Sequence, residues 1–365
     1  MSKQKITIKA SVTFIVFLII GLVFSCTPQK EYTKIYSAND PNIQYVGRID
    51  NRNPELPRFW APGVYMQFTY EGDSCIVTIN DELPWENSHN YISINIDNKI
   101  IDRVKLTEKV NKINIGEKVL PGKHKVTVCK TTESGIGYVE IVNIQSNKLL
   151  EPECLPDRKI EFYGNSITCG CGADTSALPC DSGEWHEKHN AYMAYGPVTA
   201  RALNAQWVLT SVSGIGMVHS CCDLEILMPQ VYNKVNLRSN EIEWDFSKYQ
   251  PDVVTICLGQ NDGVQDSTLF CSEYVNFIHN LRNHYPDSKI ICLNSPMGDE
   301  TLNPVLKNYI LSIVNYLNTN GDKNVFSFFF SRSYVGGCDY HPTVEEHQLI
   351  SEELTPFIKD LMEWE

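Results

Sequence analysis

Hydrophobic and polar positions alternate along most of residues 36–146. A period of two residues is typical of strands that bury one face, and turn residues bound each such run. The dipeptides Asp97-Asn98 and Pro121-Gly122 favour hairpin turns. The pattern predicts an all-β domain, a jelly-roll-like sandwich without helices. Its five clearest strands span 64–70, 75–79, 91–96, 124–128 and 138–142.

The pattern changes after Pro152, where continuous apolar runs alternate with segments of helical period. Apolar strands separated by helices predict a parallel sheet that is covered on both faces, here an α/β/α three-layer domain over 158–365. Residues 147–157, with Pro152 and Pro156, are the predicted linker. The predicted strands are 160–163, 207–212, 253–258, 290–293 and 325–329, and the predicted helices are 191–203, 270–284, 302–317 and 344–362.

Three lysines at the N-terminus precede an apolar run over 10–25, which ends directly before Cys26. This arrangement resembles a bacterial lipoprotein signal, in which the cysteine is lipidated and becomes the mature N-terminus. It predicts a signal peptide over residues 1–25, a lipid anchor at Cys26 and a location in the bacterial cell envelope, either periplasmic or at the outer-membrane surface. An uncleaved membrane anchor is the alternative, because the run is only slightly shorter than a span.

Charge and cysteine content narrow the class of protein. The 365 residues carry a formal net charge of -13, which excludes a basic surface for nucleic acid and leaves the lipid anchor as the predicted membrane contact. Thirteen cysteines are many for this length, in a compartment that permits disulfides. Sequence does not fix their pairing. The best candidates follow predicted strands or lie in loops near them: Cys169, Cys171, Cys180, Cys221, Cys222 and Cys338.

Polar clusters follow the predicted strands of the second domain. Ser166 comes three residues after the first strand, Gly214 follows the second, and Asn261 follows the third. His341 comes about a dozen residues after the last strand. Because the carboxyl ends of parallel strands and the following loops share one rim of a sheet, all four clusters are expected to meet there.

These residue types fit nucleophilic ester hydrolysis. A serine hydroxyl is a poor nucleophile unless a base takes its proton, and His341 is the candidate base for Ser166. The tetrahedral intermediate carries negative charge on oxygen, which fixed donors stabilise by roughly 3 kcal/mol each. The candidate donors are the backbone N–H groups of Ser166 and Gly214 and the side-chain amide of Asn261.

Four segments resemble, in order and spacing, the conserved blocks of the SGNH or GDSL-like hydrolases: Gly164-Asn165-Ser166, Gly214, Gly259-Gln260-Asn261-Asp262 and Asp339-Tyr340-His341-Pro342. A sandwich that precedes the hydrolase makes the chain similar to the two-domain carbohydrate esterases of family two. The resemblance implies removal of O-acetyl groups from acetylated plant polysaccharide or oligosaccharide, such as xylan or glucomannan. It also implies that no metal and no organic cofactor take part.

Two positions depart from that pattern. Asn165 stands where the superfamily has aspartate, so it can donate and accept hydrogen bonds but adds no charge. The orienting aspartate of the superfamily lies three residues before the histidine, a position held here by Cys338, whereas Asp339 is two before. Asp339 is therefore a tentative third member of a triad. The alternative, also implied by family two, is a backbone carbonyl that orients His341.

Other features leave alternatives open. Trp185 lies in a polar insertion, where it could stack on a sugar ring or pack against the sandwich. Cys180, His186 and His189 match no common zinc spacing, so no metal site is predicted. Two other functions remain: an SGNH esterase or lipase that acts on other acyl esters, and a carbohydrate-binding lipoprotein without catalysis.

Overall fold

Two β-sheets organise the part of the chain that the computed structural model describes, residues 33–239 and 241–365. The predicted signal peptide and Cys26 lie outside these residues, so lipid anchoring and cell-envelope location stay predictions. Within the described ranges, no helix combines the length and the apolar character that crossing a membrane requires.

The first sheet is antiparallel and contains nine strands. Between its described strands lie two short 3-10 turns and no α-helix, which agrees with the prediction of a domain without helices. The strands are β1 (Lys34–Ser37), β2 (Gln44–Val46), β3 (Arg58–Phe59), β4 (Tyr65–Asp81), β5 (Tyr91–Ile96), β6 (Lys99–Lys105), β7 (Val110–Asn114), β8 (Gly122–Lys130) and β9 (Val139–Leu150).

Strand β4 replaces two of the strands that the sequence predicts. Its first half pairs with β8 and its second half with β7, and the ladder with β9 shifts register between Glu71 and Cys75. Both halves face one apolar core. The Asp97-Asn98 hairpin is confirmed, with φ of 52° and 63°. The Pro121-Gly122 hairpin was wrong, because β7 pairs with β4 and not with β8.

The second sheet is parallel, with the order β11-β10-β12-β13-β14. These strands are β10 (Arg158–Gly164), β11 (Ala205–Ser211), β12 (Val253–Cys257), β13 (Lys289–Leu293) and β14 (Val325–Phe328). The helices are α1 (Ser166–Cys169), α2 (Tyr195–Ala202), α3 (Met228–Val231), α4 (Ser267–His284), α5 (Leu302–Thr319) and α6 (Val344–Met362).

The strand order places helices on both faces of this sheet. From β10 the chain goes to β11 on one side, and it then adds β12, β13 and β14 on the other. Right-handed crossovers therefore put α2 and α4 on opposite faces, where α2 packs against α6 and α4 against α5. The two-domain fold class predicted from the sequence is confirmed. The direction of chain progression reverses beside β10, where α/β proteins commonly bind ligands.

The two sheets share buried contacts. Arg48, which follows β2, is fully buried and pairs with Glu161 of β10 at 2.9 Å. Tyr65 of β4 stacks on Trp207 of β11 with ring centroids 4.2 Å apart. Strand β9 continues to Leu150, into the predicted linker, and the chain has no regular structure from there until Arg158.

Candidate active site

Ser166 is the first residue of α1, directly after β10. The turn is tight: a Cβ atom on Gly164 would lie 2.0 Å from Oγ1 of Thr168, so this position requires glycine. Asn165 caps the helix, since its side-chain oxygen accepts a hydrogen bond from the Ile167 amide at 3.2 Å. Asparagine thus supports the serine turn although it lacks the charge of aspartate.

The structure brings Ser166 and His341 together. Oγ of Ser166 lies 2.8 Å from Nε2 of His341. On the other side of the ring, Nδ1 lies 3.1 Å from the carbonyl oxygen of Cys338. A carbonyl can only accept, so Nδ1 carries the proton and Nε2 is free to accept the serine proton. This is the arrangement that activates a serine nucleophile.

Asp339 does not take the position suggested for it. Among the described residues, no hydrogen bond joins the Asp339 carboxylate to His341, because Nδ1 faces the backbone carbonyl of Cys338. Asp339 adopts a left-handed backbone conformation with φ of 51°. Its charge still acts on the ring from nearby. Burial lowers the pKa of His341, whereas the Cys338 carbonyl and Asp339 oppose that effect.

Three donors face the same cavity as the serine. The backbone N–H groups of Ser166 and Gly214 donate to no protein acceptor in the described part of the chain. The amide of Asn261 donates one hydrogen to the Ile215 carbonyl at 2.9 Å, which leaves its second hydrogen. Gly214 has φ of +83°, a conformation that favours glycine. The predicted oxyanion donors therefore line one cavity with Ser166.

Asp262 holds the loop that carries Gly214, a role that the sequence analysis did not assign. Its carboxylate accepts hydrogen bonds from the amides of Met217, Val218 and His219 at 2.7–3.0 Å. Burial raises the pKa of Asp262, and these three N–H donors oppose the shift. Asp262 is 3% exposed, so these backbone amides, and not water, are the main hydrogen-bond donors to its carboxylate.

Glu133, from the segment between β8 and β9, reaches the same loop from the other domain. Its Oε2 accepts a hydrogen bond from the Ser213 amide at 2.7 Å, and the side chain lines the cavity. The residue is 1% exposed. No motif in the sequence identifies it, because its position depends on how the two sheets pack. The antiparallel domain thus helps to fix the backbone beside Gly214.

The cavity has a volume of about 680 Å³ and contains Ser166 and His341. Trp185 lines it and is 46% exposed, with its ring 4.5 Å from that of His189. Trp85, on the loop after β4, is 47% exposed and lines the cavity as well. Both indoles remain available to a ligand, as the stacking alternative for Trp185 requires.

Four of the six candidate cysteines are disulfide-bonded. Cys180 is bonded to Cys338, and Cys221 is bonded to its neighbour Cys222. Cys169 and Cys171 are free thiols, buried beside the serine turn. Burial raises the pKa of both thiols, so they stay protonated. The Cys180 sulfur is not available as a metal ligand while it is bonded to Cys338.

Family models match both halves of the chain. Residues 45–152 match the model for the carbohydrate esterase 2 N-terminal domain. Residues 162–322 match the model for the GDSL-like lipase/acylhydrolase family. The two matches follow one another in the same order as the two sheets.

Characterised relatives resemble the chain over most of its length. Cellulase/esterase CelE of Acetivibrio thermocellus is 31% identical over 89% of the chain, although the chain spans 40% of that protein. An acetylxylan esterase/glucomannan deacetylase of Cellvibrio japonicus is 27% identical over 91% of the chain and 92% of its own length. The solved structure of a family two carbohydrate esterase from Clostridium thermocellum, in complex with cellohexaose, is 31% identical, with a TM-score of 0.81 over 88% of the chain and 100% of its own. The chain belongs to carbohydrate esterase family two: it has the N-terminal domain of that family, followed by a GDSL-like acylhydrolase domain.

Proposed function

We propose that the protein is a serine esterase that removes O-acetyl groups from plant cell-wall polysaccharide of the xylan or glucomannan type. The observation that carries the proposal is the 2.8 Å contact between Oγ of Ser166 and Nε2 of His341, within a cavity that three oxyanion donors also line. Relatives named as acetylxylan esterases and glucomannan deacetylases support acetyl as the acyl group that is removed.

Each residue has a role that follows from its contacts. Ser166 attacks the acetyl carbonyl while His341 takes its proton, and the N–H groups of Ser166 and Gly214 with the Asn261 amide stabilise the oxyanion. As the tetrahedral intermediate collapses, the ester bond to the sugar breaks and His341 gives the proton to the sugar oxygen, which leaves as a hydroxyl. Water, activated by the same imidazole, attacks the acetyl-serine and releases acetate. The Cys338 carbonyl keeps Nδ1 as the donor throughout.

The walls of the cavity fit a sugar chain. Trp85 and Trp185 present half-exposed indoles on two different segments, and flat apolar faces of this kind pack against sugar rings. A relative with the same fold is known in complex with cellohexaose, a linear chain of β-linked glucose. An extended polysaccharide that lies across the cavity is therefore the favoured substrate.

Acetate release from acetylated xylan and acetylated glucomannan, compared with hydrolysis of aryl acetate, butyrate and octanoate, tests the proposal. We expect acetate to be released from both polymers and aryl acetate to be preferred over the longer esters. A preference for octanoate would favour the lipase alternative instead. Binding of the polymers with no turnover of any ester would favour the non-catalytic alternative. The matched control is Ser166→Ala, in which polymer binding is retained.

A further inference from the structure

Cys338 links the catalytic imidazole to a distant segment of the chain. Its carbonyl oxygen lies 3.1 Å from Nδ1 of His341, and its sulfur is bonded to Cys180. The two cysteines are 158 residues apart in the sequence. The bond therefore ties the loop that orients the imidazole to a distant insertion of the chain.

The loop that carries His341 has an unfavourable backbone. Asp339 and Tyr340 are both left-handed, with φ of 51° and 58°, and neither is glycine. Such conformations cost free energy and persist where the surroundings hold them. Tyr340 is 78% exposed, so packing of its ring does not hold the tip of the loop. Direct anchors close to it are the disulfide and the bond from the Cys338 amide to the Gly172 carbonyl at 3.0 Å.

The insertion on the other side of the bridge is fixed from the antiparallel domain. Nη2 of Arg103, on β6, donates to the carbonyls of Glu187 and His189 at 2.6 and 2.7 Å. These carbonyls lie seven and nine residues after Cys180, and both follow Trp185 closely in the sequence. Because the insertion that contains Cys180 is held by these hydrogen bonds, the disulfide can restrain the loop that contains Cys338.

We propose that the Cys180–Cys338 disulfide is a positioning element for His341: it holds the Cys338 carbonyl in place, and that carbonyl orients the imidazole as an aspartate does in a triad. The side-chain torsion angles of an aspartate can adjust the direction of its carboxylate, whereas the backbone conformation alone sets the direction of a carbonyl. The bridge restrains Cys338, whose carbonyl accepts the hydrogen bond from Nδ1 of His341. The inference rests on the proposed function, since it assigns a role in the same Ser166–His341 pair.

This role predicts a signature in the pH dependence. The Cys338 carbonyl raises the pKa of His341 against the lowering effect of burial. If the carbonyl drifts away, that pKa falls, and the acid limb of kcat/KM moves to lower pH while kcat decreases. A disulfide that only stabilises the fold would not move the limb. The other titratable groups that face His341 or line its cavity are Asp339, His189, His347, Glu133, Cys171, Asp223 and Arg238, and Cys180→Ala alters none of these side chains.

The test uses Cys180→Ala, which removes the bridge and leaves residue 338 intact. Cys154→Ala is the control, because Cys154 is an exposed free thiol on the segment that connects β9 to β10. With aryl acetate, we expect Cys180→Ala to lower kcat by about 10- to 100-fold with little change in KM, and to shift the acid limb downward. Cys154→Ala should match the wild type in all three quantities.

Two results would overturn the proposal. One is an unchanged kcat and pH profile in Cys180→Ala. The other is a loss of rate that active-site titration attributes wholly to fewer folded molecules, with the acid limb in place. If Cys180→Ala does not fold, the double variant Cys221→Ser/Cys222→Ser is used instead, because Cys180–Cys338 is then the disulfide that dithiothreitol reduces in the described residues. Reduction of this folded protein must lower kcat and shift the acid limb downward. Failure of the proposed esterase function is distinguishable, since the wild type itself would then hydrolyse no ester.

Discussion

The carbonyl oxygen of Cys338 lies 3.1 Å from Nδ1 of His341 and so performs the orienting role that a carboxylate has in a catalytic triad. A neutral carbonyl fixes the tautomer but stabilises the imidazolium less than a carboxylate would. His341 is also partly buried, and burial lowers its pKa below the ordinary value of 6.5. The enzyme therefore holds its base in the neutral form at neutral pH.

Asp339→Asn tests how much the negative charge of Asp339 contributes to catalysis by Ser166 and His341. Asp339 raises the pKa of His341 through its charge, so its removal lowers that pKa and keeps the base neutral to lower pH. We expect the acid limb of kcat/KM to move downward and the plateau rate to change by less than about 3-fold. Asp287→Asn, at an exposed position on the same protein, is the control. A loss of about 10⁴-fold would instead identify Asp339 as a triad member.

Asp262→Ala tests the anchoring of the oxyanion loop. Without the carboxylate, the amides of Met217, Val218 and His219 lose their common acceptor. We expect kcat to fall about 100-fold and the free energy of unfolding to drop by roughly 3 kcal/mol. Steady-state kinetics and urea unfolding measure the two effects. Asp266→Asn, which keeps the cap of α4, should alter neither, and a fully active Asp262→Ala would refute the anchoring role.

Arg48→Met tests the buried pair that joins the two sheets. Arg48 and Glu161 are both fully buried, so removal of one partner leaves the other charge without compensation. We expect the free energy of unfolding to fall by about 3–5 kcal/mol. The comparison is Lys148→Met, which breaks the exposed pair with Glu71 and should leave stability essentially unchanged. Equal unfolding midpoints for the two variants would contradict this account.

Trp185→Ala separates sugar binding from chemistry. Trp185 lines the cavity but contacts neither Ser166 nor His341 through any recorded hydrogen bond in the described residues. We expect KM for acetylated xylan to rise about 3- to 10-fold, with kcat for aryl acetate within about 2-fold of the wild type. Tyr316→Ala removes an equally exposed ring on α5 and should change neither value. An unchanged KM for the polymer would favour the packing role of Trp185.

The periodicity of the sequence predicted the parts of the fold that depend on local pattern. Helix α6 spans 344–362 as predicted, since its apolar stripe is regular and Thr343 forms a capping box with Glu346. Strand β4 was predicted as two strands because Glu71 to Ser74 are polar, whereas the structure has one continuous strand whose ladder with β9 shifts register between Glu71 and Cys75. An irregularity of this kind shifts the register without ending the strand, and pattern alone cannot distinguish it from a turn between two strands.

The candidate site was predictable wherever its residues follow strands of one sheet. Ser166 and Asn261 follow adjacent parallel strands, so their shared rim follows from topology. Glu133 was missed because it reaches the site from the other domain, and its position depends on packing between the sheets. The choice between Asp339 and the Cys338 carbonyl depends on two backbone angles, which residue spacing does not determine.

The rate of aryl acetate hydrolysis by Ser166→Ala, at the pH optimum of the wild type, tests the central claim most directly. Oγ of Ser166 is the nucleophile in this account, and His341 has no other hydroxyl to activate at 2.8 Å in the described structure. We predict a loss of about 10⁴-fold or more with an unchanged thermal unfolding midpoint. A folded Ser166→Ala protein that releases acetate at a rate close to that of the wild type would contradict the account.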